Sequence, residues 1–167
     1  MGSTGENLQS AFAGESQANR RYLFFAEKAA EAGDKQVARL FRAAAEAETV
    51  HARNHLRVTG DIKSTRENLE MAVAGEQYEF TEMYPEFIEQ AKSEGNDSAA
   101  RSFELADKVE RIHHGLFQAA LQSLTSGESP VDAPYFVCQV CGNTVAGEAP
   151  ERCPICGVPS SKFSKVD

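Results

Sequence analysis

The amino-acid sequence predicts an all-α four-helix bundle followed by a small cysteine-rich module. Two observations support this fold class. Apolar residues recur at helical spacing along four long segments, and all four cysteines lie within the last 30 of the 167 residues. We therefore expect a helical domain at residues 1–127, a turn-rich linker at 128–134 and a four-cysteine domain of short β-hairpins at 135–167.

The composition argues against several classes of partner. A net charge of -8 and a pI near 5.1 disfavour nucleic acid and anionic membranes, because both select basic surfaces. The first ten residues, MGSTGENLQS, have neither the basic start nor the apolar run of a signal peptide, and no apolar segment is as long as a membrane span. We expect a cytoplasmic protein that binds neither nucleic acid nor membrane.

Helix-start and helix-stop residues mark the first two helices. A capping box at Ser3–Glu6 opens the first helix, which runs without proline to Gly33. Asp34 can cap the second helix, which we expect to extend to about Thr59. Gly60 follows at once and provides a stop.

The third and fourth helices are marked in the same way. A capping box at Ser64–Glu67 opens the third helix, and Gly95 ends it. Pro85 lies inside this helix, so we expect a kink or a local break just before it. Asn96 can cap the fourth helix, which reaches Gly127.

Ionisable residues interrupt the apolar faces of these helices. The inward stripe of the second helix is Val37, Phe41, Ala44, Glu48, His51, His55 and Val58. The inward stripe of the fourth is Ala99, Phe103, Ala106, Glu110, His113, Phe117, Ala120 and Leu124. An unpaired charge on an apolar face is costly, so two facing Glu-x-x-His pairs indicate a metal site.

The same residues form an internal repeat. The offset from Glu48 to Glu110 is 62 residues, and a glutamate on the first helix repeats on the third at an offset of 61. Two helical hairpins with equivalent ligands imply a pseudo-two-fold bundle. Glu79 breaks the symmetry, because its counterpart at the same offset is Ala18. The candidate metal ligands are Glu15, Glu48, His51, Glu76, Glu79, Glu110 and His113.

Hard carboxylates with one imidazole per metal suit iron or manganese, and this arrangement is typical of ferritin-like di-iron proteins. By position we assign Glu48 and Glu110 as bridges between two metals. We assign Glu15 to the first metal, for which His51 and Glu79 compete; the remaining pair, Glu76 and His113, belongs to the second.

Other polar residues on the helices have weaker claims. His55 and His114 lie off the repeat, and we interpret both as core histidines. Tyr22 and Tyr84 lie about two turns after the first and third-helix glutamates, near enough to hydrogen-bond their carboxylates. A role as ordinary core tyrosines is equally open for both.

The cysteine module contains two C-x-x-C-G knuckles. They comprise Cys138 with Cys141 and Cys153 with Cys156, separated by 11 residues. Four thiolates form a tetrahedral site for iron or zinc, and the spacing does not choose between the two metals. A structural zinc ribbon is therefore the alternative to a redox-active iron site.

Together these motifs resemble the rubrerythrin family along nearly the whole chain. The resemblance rests on AFAGESQANRRY, EAETVHARNH, AGEQYEFTEMYPEF, VERIHHGLF, YFVCQVCGNTV and ERCPICGVP. It implies a ferritin-like di-iron domain, a rubredoxin-like iron centre held by the four cysteines, and an NADH-linked peroxidase that reduces hydrogen peroxide to water in oxidative stress defence. Electrons would come from an NAD(P)H-linked reductase or a rubredoxin. It also implies that the first iron moves between His51 when reduced and Glu79 when oxidised.

A second interpretation is a ferritin-like ferroxidase or iron-handling protein with a structural zinc ribbon. An oxidase fed by ferrous iron needs no attached electron relay, which favours the peroxidase. Zinc can also replace iron at either site in recombinant material.

The connection between the second and third helices is short. In a ferritin-like arrangement these helices run parallel, so the chain must return along the bundle by about 33 Å at 1.5 Å per residue. The links from Thr59 to Thr65 reach only about 20 Å when extended. The sequence thus predicts a domain-swapped homodimer, in which the first hairpin of one chain packs with the second hairpin of another.

Overall fold

A computed structural model describes residues 2–127 and 132–166 of the chain. The described residues are mostly helical and end in a small three-stranded sheet that carries the four cysteines, which confirms the predicted fold class. Across these two ranges, none of the helices combines the length and the apolar character needed to cross a membrane. The chain divides into two compact units, Met1–Lys63 and Ser64–Asp167.

The first unit is a helical hairpin of α1 (Thr4–Glu31) and α2 (Lys35–Thr59). The predicted capping box at Ser3 is confirmed, because the Ser3 side chain accepts from the Glu6 N–H while the Glu6 carboxylate accepts from the Ser3 N–H. Asp34 precedes α2 as predicted, but its side chain makes no capping hydrogen bond. Gly60 ends α2 with a φ of 76°, a conformation that favours glycine.

Small residues form the buried contact between α1 and α2. Ala26, Ala38 and Ala45 are buried, so the two helices can approach each other closely. Three members of the stripe predicted to face inward are exposed instead: Val37 by 45% and Val58 by 71%, and His51, whose side chain is 54% exposed. A two-helix hairpin buries only the face that its helices share, so much of its apolar surface stays exposed.

The second unit begins with one long, interrupted helix. It comprises α3 (Thr65–Tyr78), a π-helical segment (Glu79–Met83) and α4 (Tyr84–Ser93). The predicted irregularity before Pro85 is confirmed, and it takes the form of this wider turn. Proline cannot donate a hydrogen bond, and its ring clashes with the carbonyl one turn back. The preceding turn therefore widens, and the Tyr84 N–H bonds to the Glu79 carbonyl five residues back.

The last helix, α5 (Asp97–Ser126), completes the second hairpin. Its predicted cap is confirmed, because the Asn96 side chain accepts from the Ala99 N–H. Gly127 ends the helix in the left-handed conformation. Of the predicted linker at 128–134, residues 128–131 lie outside the described part of the chain.

The cysteine module is an antiparallel sheet with the strand order β2-β1-β3. Its strands are β1 (Tyr135–Cys138), β2 (Thr144–Ala146) and β3 (Phe163–Val166). The central strand ends at the first cysteine of the first knuckle. The module contacts α5 of the same unit, where Gly142 lies against Val109.

Candidate metal centres

The first cluster of candidate ligands lies within the first unit. Glu15 comes from α1, whereas Glu48 and His51 come from adjacent turns of α2 because their spacing of three places them on one face. Their ligand atoms all lie within 4.8 Å of one another. His51 Nδ1 is 2.9 Å from Glu48 Oε2. The first hairpin therefore brings together the three residues that the repeat assigns to it.

Asn19 is a neighbour of this cluster that the sequence did not identify as a site residue. It lies one turn after Glu15 on α1, and its side-chain amide donates to the Ala45 carbonyl at 2.7 Å and to the Thr49 hydroxyl at 2.9 Å. These bonds join α1 to α2 beside Glu48. Asn19 therefore helps to fix the spacing of the helices that supply the cluster.

The second cluster lies within the second unit and repeats the same chemistry. Glu76 comes from α3, and Glu110 and His113 come from adjacent turns of α5. Their ligand atoms also lie within 4.8 Å of one another. His113 Nδ1 is 2.7 Å from Glu110 Oε2 and 4.0 Å from Glu76 Oε1.

The electrostatics of the second cluster fit a bound cation. Burial, the hydrogen bond to Glu110 and the negative charge of Glu110 raise the pKa of Glu76 to about 7. The hydrogen bond to Glu110 also raises the pKa of His113, against the opposing effect of burial. The Glu76 carboxyl and the His113 imidazole thus hold their protons more tightly than usual. A divalent cation would take the place of those protons, so the residues present fit the metal.

Glu79 and Tyr84 lie at the two ends of the π-helical turn near the second cluster. Burial, together with the charge of Glu110, raises the pKa of Glu79. Burial and the charges of Glu110, Glu79 and Glu76 raise the pKa of Tyr84. Glu79 is nevertheless outside the group of three ligands that converge on one point. The structure thus places it beside the cluster, as a further carboxylate within electrostatic reach.

The remaining tyrosine and histidines have separate environments. Tyr22 packs its ring against Phe25 and Phe41, with centroids 6.4 and 6.0 Å apart, as expected for a core tyrosine. His114 donates from Nδ1 to the Val73 carbonyl at 3.0 Å, which confirms its interpretation as a core histidine. Among the described residues, His55 belongs to no group of converging ligands.

The four cysteines converge as their spacing predicts. All are free thiols, and their sulfur atoms lie within 4.8 Å of one another, with Cys138 Sγ 3.7 Å from Cys156 Sγ and Cys141 Sγ 3.6 Å from Cys153 Sγ. Gly142 follows the first knuckle with a φ of +83°, which permits the tight turn. Four sulfurs at this separation fit a tetrahedral metal ion.

Backbone N–H groups prepare one of these sulfurs for metal binding. Burial of Cys153 opposes ionisation, but the N–H groups of Cys156 and Ile155, together with hydrogen bonds from the Cys156 and Cys141 thiols, outweigh it and lower the pKa of the Cys153 thiol to about 7. Burial raises the pKa of Cys141. A bound cation would compensate the clustered thiolates, so this donor set also fits its metal.

A direct contact joins the cysteine module to the second cluster. The His113 Nε2 atom lies 3.0 Å from the hydroxyl oxygen of Thr144 on β2. The sequence did not identify Thr144, because the two residues are 31 positions apart and belong to different structural elements. No spacing rule relates a helix to a strand of a separate module, so only the folded structure shows this contact.

Comparison with protein-family models gives two matches. Residues 6–121 match the model described as rubrerythrin, and residues 136–164 match the model described as the rubrerythrin rubredoxin-like domain. The first covers both ligand clusters and the second covers all four cysteines. The two matches therefore correspond to the helical and cysteine-rich parts of the chain.

Individual relatives align along nearly the full length. Rubrerythrin-2 of Clostridium acetobutylicum is 37% identical, with 96% of this chain and 95% of the relative covered. Nigerythrin of Nitratidesulfovibrio vulgaris is 36% identical, with 98% and 87% covered. Among solved structures, the mixed-valence state of nigerythrin matches with a TM-score of 0.59 and 36% identity, covering 99% of this chain and 88% of that one.

Proposed function

The chain belongs to the rubrerythrin family, and on this premise we propose that it is a non-haem di-iron peroxidase that reduces hydrogen peroxide to water in oxidative stress defence. The family has a di-iron carboxylate site and a four-cysteine, rubredoxin-like iron site, and the Glu/His and four-cysteine groups of this chain fit both. The observation that carries the proposal is the contact between Thr144 of the cysteine module and His113 of a cluster. An electron relay must lie close to the site that it reduces, and this hydrogen bond brings the cysteine module into direct contact with a candidate metal ligand.

When bound, the paired irons would supply the two electrons that, with two protons from solvent, convert one hydrogen peroxide to two waters. The external donor would replace these electrons one at a time through the cysteine-bound iron. The protein supplies the ligands. We propose the seven residues identified by the repeat as these ligands, with Glu48 and Glu110 as bridges. The Glu-x-x-His spacing on α2 and α5 places a carboxylate and an imidazole on the same helical face for each metal.

Glu79 is proposed to replace His51 as a ligand when the first iron becomes ferric. A carboxylate compensates an added positive charge, whereas a neutral imidazole does not. Two observations support this role. Burial and the nearby negative charge of Glu110 raise the pKa of Glu79. Glu79 also lies in a π-helical turn, whose hydrogen bonding is less regular than that of an α-helix.

Tyr84 is proposed to hydrogen-bond a ligand carboxylate or the substrate. Burial and three nearby carboxylates raise its pKa, so the phenol keeps its proton at neutral pH. It can therefore donate a hydrogen bond to an oxygen atom in the site. We propose the same role for Tyr22, although its ring contacts are those of a core residue.

An NAD(P)H-linked reductase or a rubredoxin is proposed as the electron donor. The cytoplasm is proposed as the compartment, because the four thiols are unpaired and need reducing conditions to remain so.

Anaerobic rapid mixing tests the proposed activity. The fully reduced protein, matured in its native cell and analysed for metal, is mixed with hydrogen peroxide while the visible spectrum is recorded. We expect iron at the cysteine site and its rapid reoxidation by peroxide. Zinc at that site, or reoxidation no faster than in chain stripped of the di-iron metals, would contradict the proposal.

We further propose that the protein is a homodimer with exchanged hairpins. Only residues 60–64 connect α2 to α3, too few for the return that a single-chain bundle needs. Each unit also leaves large apolar side chains uncovered: Phe24 is 63% exposed and Leu40 is 67% exposed in the first, and Met71 is 49% exposed in the second. Apolar surface of this kind is typical of an interface.

Complementation between two inactive variants tests the exchange. One chain carries Glu48→Ala with His51→Ala, and the other carries Glu110→Ala with His113→Ala. In an exchanged heterodimer the two unaltered hairpins share one site, so coexpression should restore one intact di-iron site per heterodimer. If each chain instead completes its own bundle, every site keeps an altered half and no activity returns.

A further inference from the structure

We propose that Thr144 is a positioning residue that fixes the imidazole of His113 for metal binding. Through Thr144, the position of the cysteine module against α5 determines the orientation of the His113 ring in the second cluster. The inference rests on the metal-binding part of the proposed function and does not require peroxidase activity.

The two nitrogen atoms of the His113 ring face different surroundings. Nδ1 faces the carboxylates, 2.7 Å from Glu110 Oε2 and 4.0 Å from Glu76 Oε1. Nε2 points to the cysteine module, 3.0 Å from Thr144 Oγ1, and the backbone carbonyl of Gly142 in the same module also accepts from the His113 ring. Nδ1 is therefore the atom that would bind a cation in this cluster. A neutral ring that binds metal through Nδ1 must carry its proton on Nε2.

The Thr144 hydroxyl can only accept a hydrogen bond from that proton. Its own single proton is donated to the Gly142 carbonyl at 3.0 Å, and a carbonyl has no proton to give back. The hydrogen bonds therefore run in one direction, from His113 to Thr144 to the backbone of the knuckle. In the metal-free cluster a proton lies between Nδ1 and Glu110. When a cation displaces that proton, the hydrogen bond to Thr144 keeps the remaining ring proton on Nε2 and leaves the Nδ1 lone pair for the metal.

The part of the module that carries Thr144 is held closely against α5. Gly142 has a φ of +83°, and a Cβ atom at this position would lie 3.6 Å from a methyl group of Val109. Val109 is only 2% exposed and lies one turn before His113. The knuckle and the histidine therefore share one packed surface, and a shift of the knuckle would move the hydroxyl away from the ring.

The first cluster has a different arrangement. Within the described ranges, the hydrogen bonding of the His51 ring is confined to Glu48, and the His51 side chain is 54% exposed against 27% for His113. Thr144 thus acts on one of two chemically similar clusters. Its loss should weaken one metal site and leave the other unchanged.

A cobalt titration of the full-length chain tests this inference. The cysteine site stays loaded, the two clusters are stripped, and Co²⁺ binding is followed anaerobically by its visible absorption. Thr144→Val removes the hydroxyl and keeps the shape of the side chain, and we expect it to weaken one of two sites about 10–100-fold. Thr144→Ser keeps the hydroxyl and should bind within about threefold of wild type.

Thr125→Val is the matched control, because the exposed Thr125 hydroxyl bonds only within α5, to the Leu121 carbonyl. We expect it to bind cobalt as wild type does. An unchanged absorption spectrum of the loaded cysteine site verifies that the cysteine module of each variant is folded. Wild-type affinity in Thr144→Val, or equal weakening in Thr144→Ser, would overturn the inference.

Nitrogen-15 NMR of histidine side chains gives a second measurement that needs no variant. In the zinc-loaded wild type we expect a slowly exchanging proton on Nε2 of His113, and its loss from Thr144→Val. A wild-type ring protonated on Nδ1 would overturn the inference by itself. A wild-type chain that binds no cobalt or zinc outside the cysteine site would overturn the proposed function as well, whatever the variants do.

Discussion

The two hairpins carry the same ligand chemistry in different surroundings. Each brings one glutamate and a Glu-x-x-His pair to within 4.8 Å. In the first, His51 is half exposed and hydrogen-bonds to Glu48. In the second, His113 is more enclosed and contacts the cysteine module on its other side. The two hairpins thus share their ligand types but differ in the surroundings of their histidines.

The difference suggests that the two metal sites have different tasks. A ring fixed on both sides keeps its ligand geometry, whereas an exposed ring with one partner is freer to leave its metal. In the proposed ligand exchange, Glu79 is the carboxylate that replaces the departing imidazole. We therefore expect the second site to be the constant one and the first to be the site that changes ligands.

The largest effect should come from disabling the cysteine module, which contacts the second hairpin. Cys141→Ser removes one sulfur ligand, and we expect reductase-driven peroxide turnover to fall about 100-fold or more because the electron relay is lost. A single turnover of chemically prereduced protein should persist. Gln139→Ser, an exposed change in the same knuckle, is the control. Full steady-state turnover of Cys141→Ser would favour the ferroxidase interpretation.

A smaller difference should separate the two ligand histidines. We expect His113→Ala to weaken metal binding about 10–100-fold more than His51→Ala, because the proposed ligand exchange lets Glu79 replace the imidazole at the first site. Metal titration of the stripped full-length variants measures both affinities, and His55→Ala is the control. An equal decrease in metal affinity in the two variants would show that the structural difference between the clusters has no effect on metal binding.

Removal of the unpaired carboxylate should affect turnover more than metal binding. We expect Glu79→Ala to retain both irons while peroxide turnover falls about tenfold, since no carboxylate then compensates the ferric charge. Metal analysis and steady-state kinetics test the two parts separately. Glu82→Ala changes an exposed glutamate in the same π-helical turn and should have no effect. Unchanged turnover of Glu79→Ala would rule out the ligand exchange.

The smallest effect is the pH dependence of folding stability when metal has been removed from the two Glu/His clusters. The pKa of Glu76 is raised from 4.5 to about 7, so the folded chain binds more protons than the unfolded chain between these values. Stability should therefore fall as the pH rises through this window. His113, whose pKa is also raised, acts in the same direction.

We measure the Tm of the protein after metal is removed from the two Glu/His clusters and the cysteine site is left loaded. Between pH 5 and pH 8 we expect this Tm to fall by about 2–4 °C, after allowance for solvent screening. Glu76→Gln should remove most of this dependence, and the equivalent change in the first hairpin, Glu15→Gln, provides the comparison. A pH dependence that survives Glu76→Gln would assign it to other groups.

Local sequence signals predicted much of this structure. Capping boxes at Ser3 and Ser64 and left-handed glycines at the helix ends bound the elements because these interactions depend on residues within one turn. The spacing of three in Glu-x-x-His places both side chains on one face by helix geometry alone. Pro85 predicted an irregular turn, although the π-helical form depends on how the whole helix packs.

Contacts between distant segments could not be predicted in this way. The Thr144–His113 hydrogen bond joins a strand to a helix, and the Asn19 bond joins two helices; neither follows from a local pattern. The inward stripes were also wrong at four positions, which are exposed in the structure: Val37, His51, Val58 and Leu124. Periodicity identifies an apolar face but does not indicate whether the same chain covers it.

The short connection at residues 60–64 has a further consequence for how this protein could be divided. Ligands of the first cluster are encoded between positions 15 and 51, and the converging ligands of the second between 76 and 113. A gene interrupted at the codons for 60–64 would therefore yield two polypeptides, each of which encodes one complete group of three converging ligands. A single hairpin, rather than the whole chain, would then be the shortest segment that could be exchanged between genes with a complete ligand group.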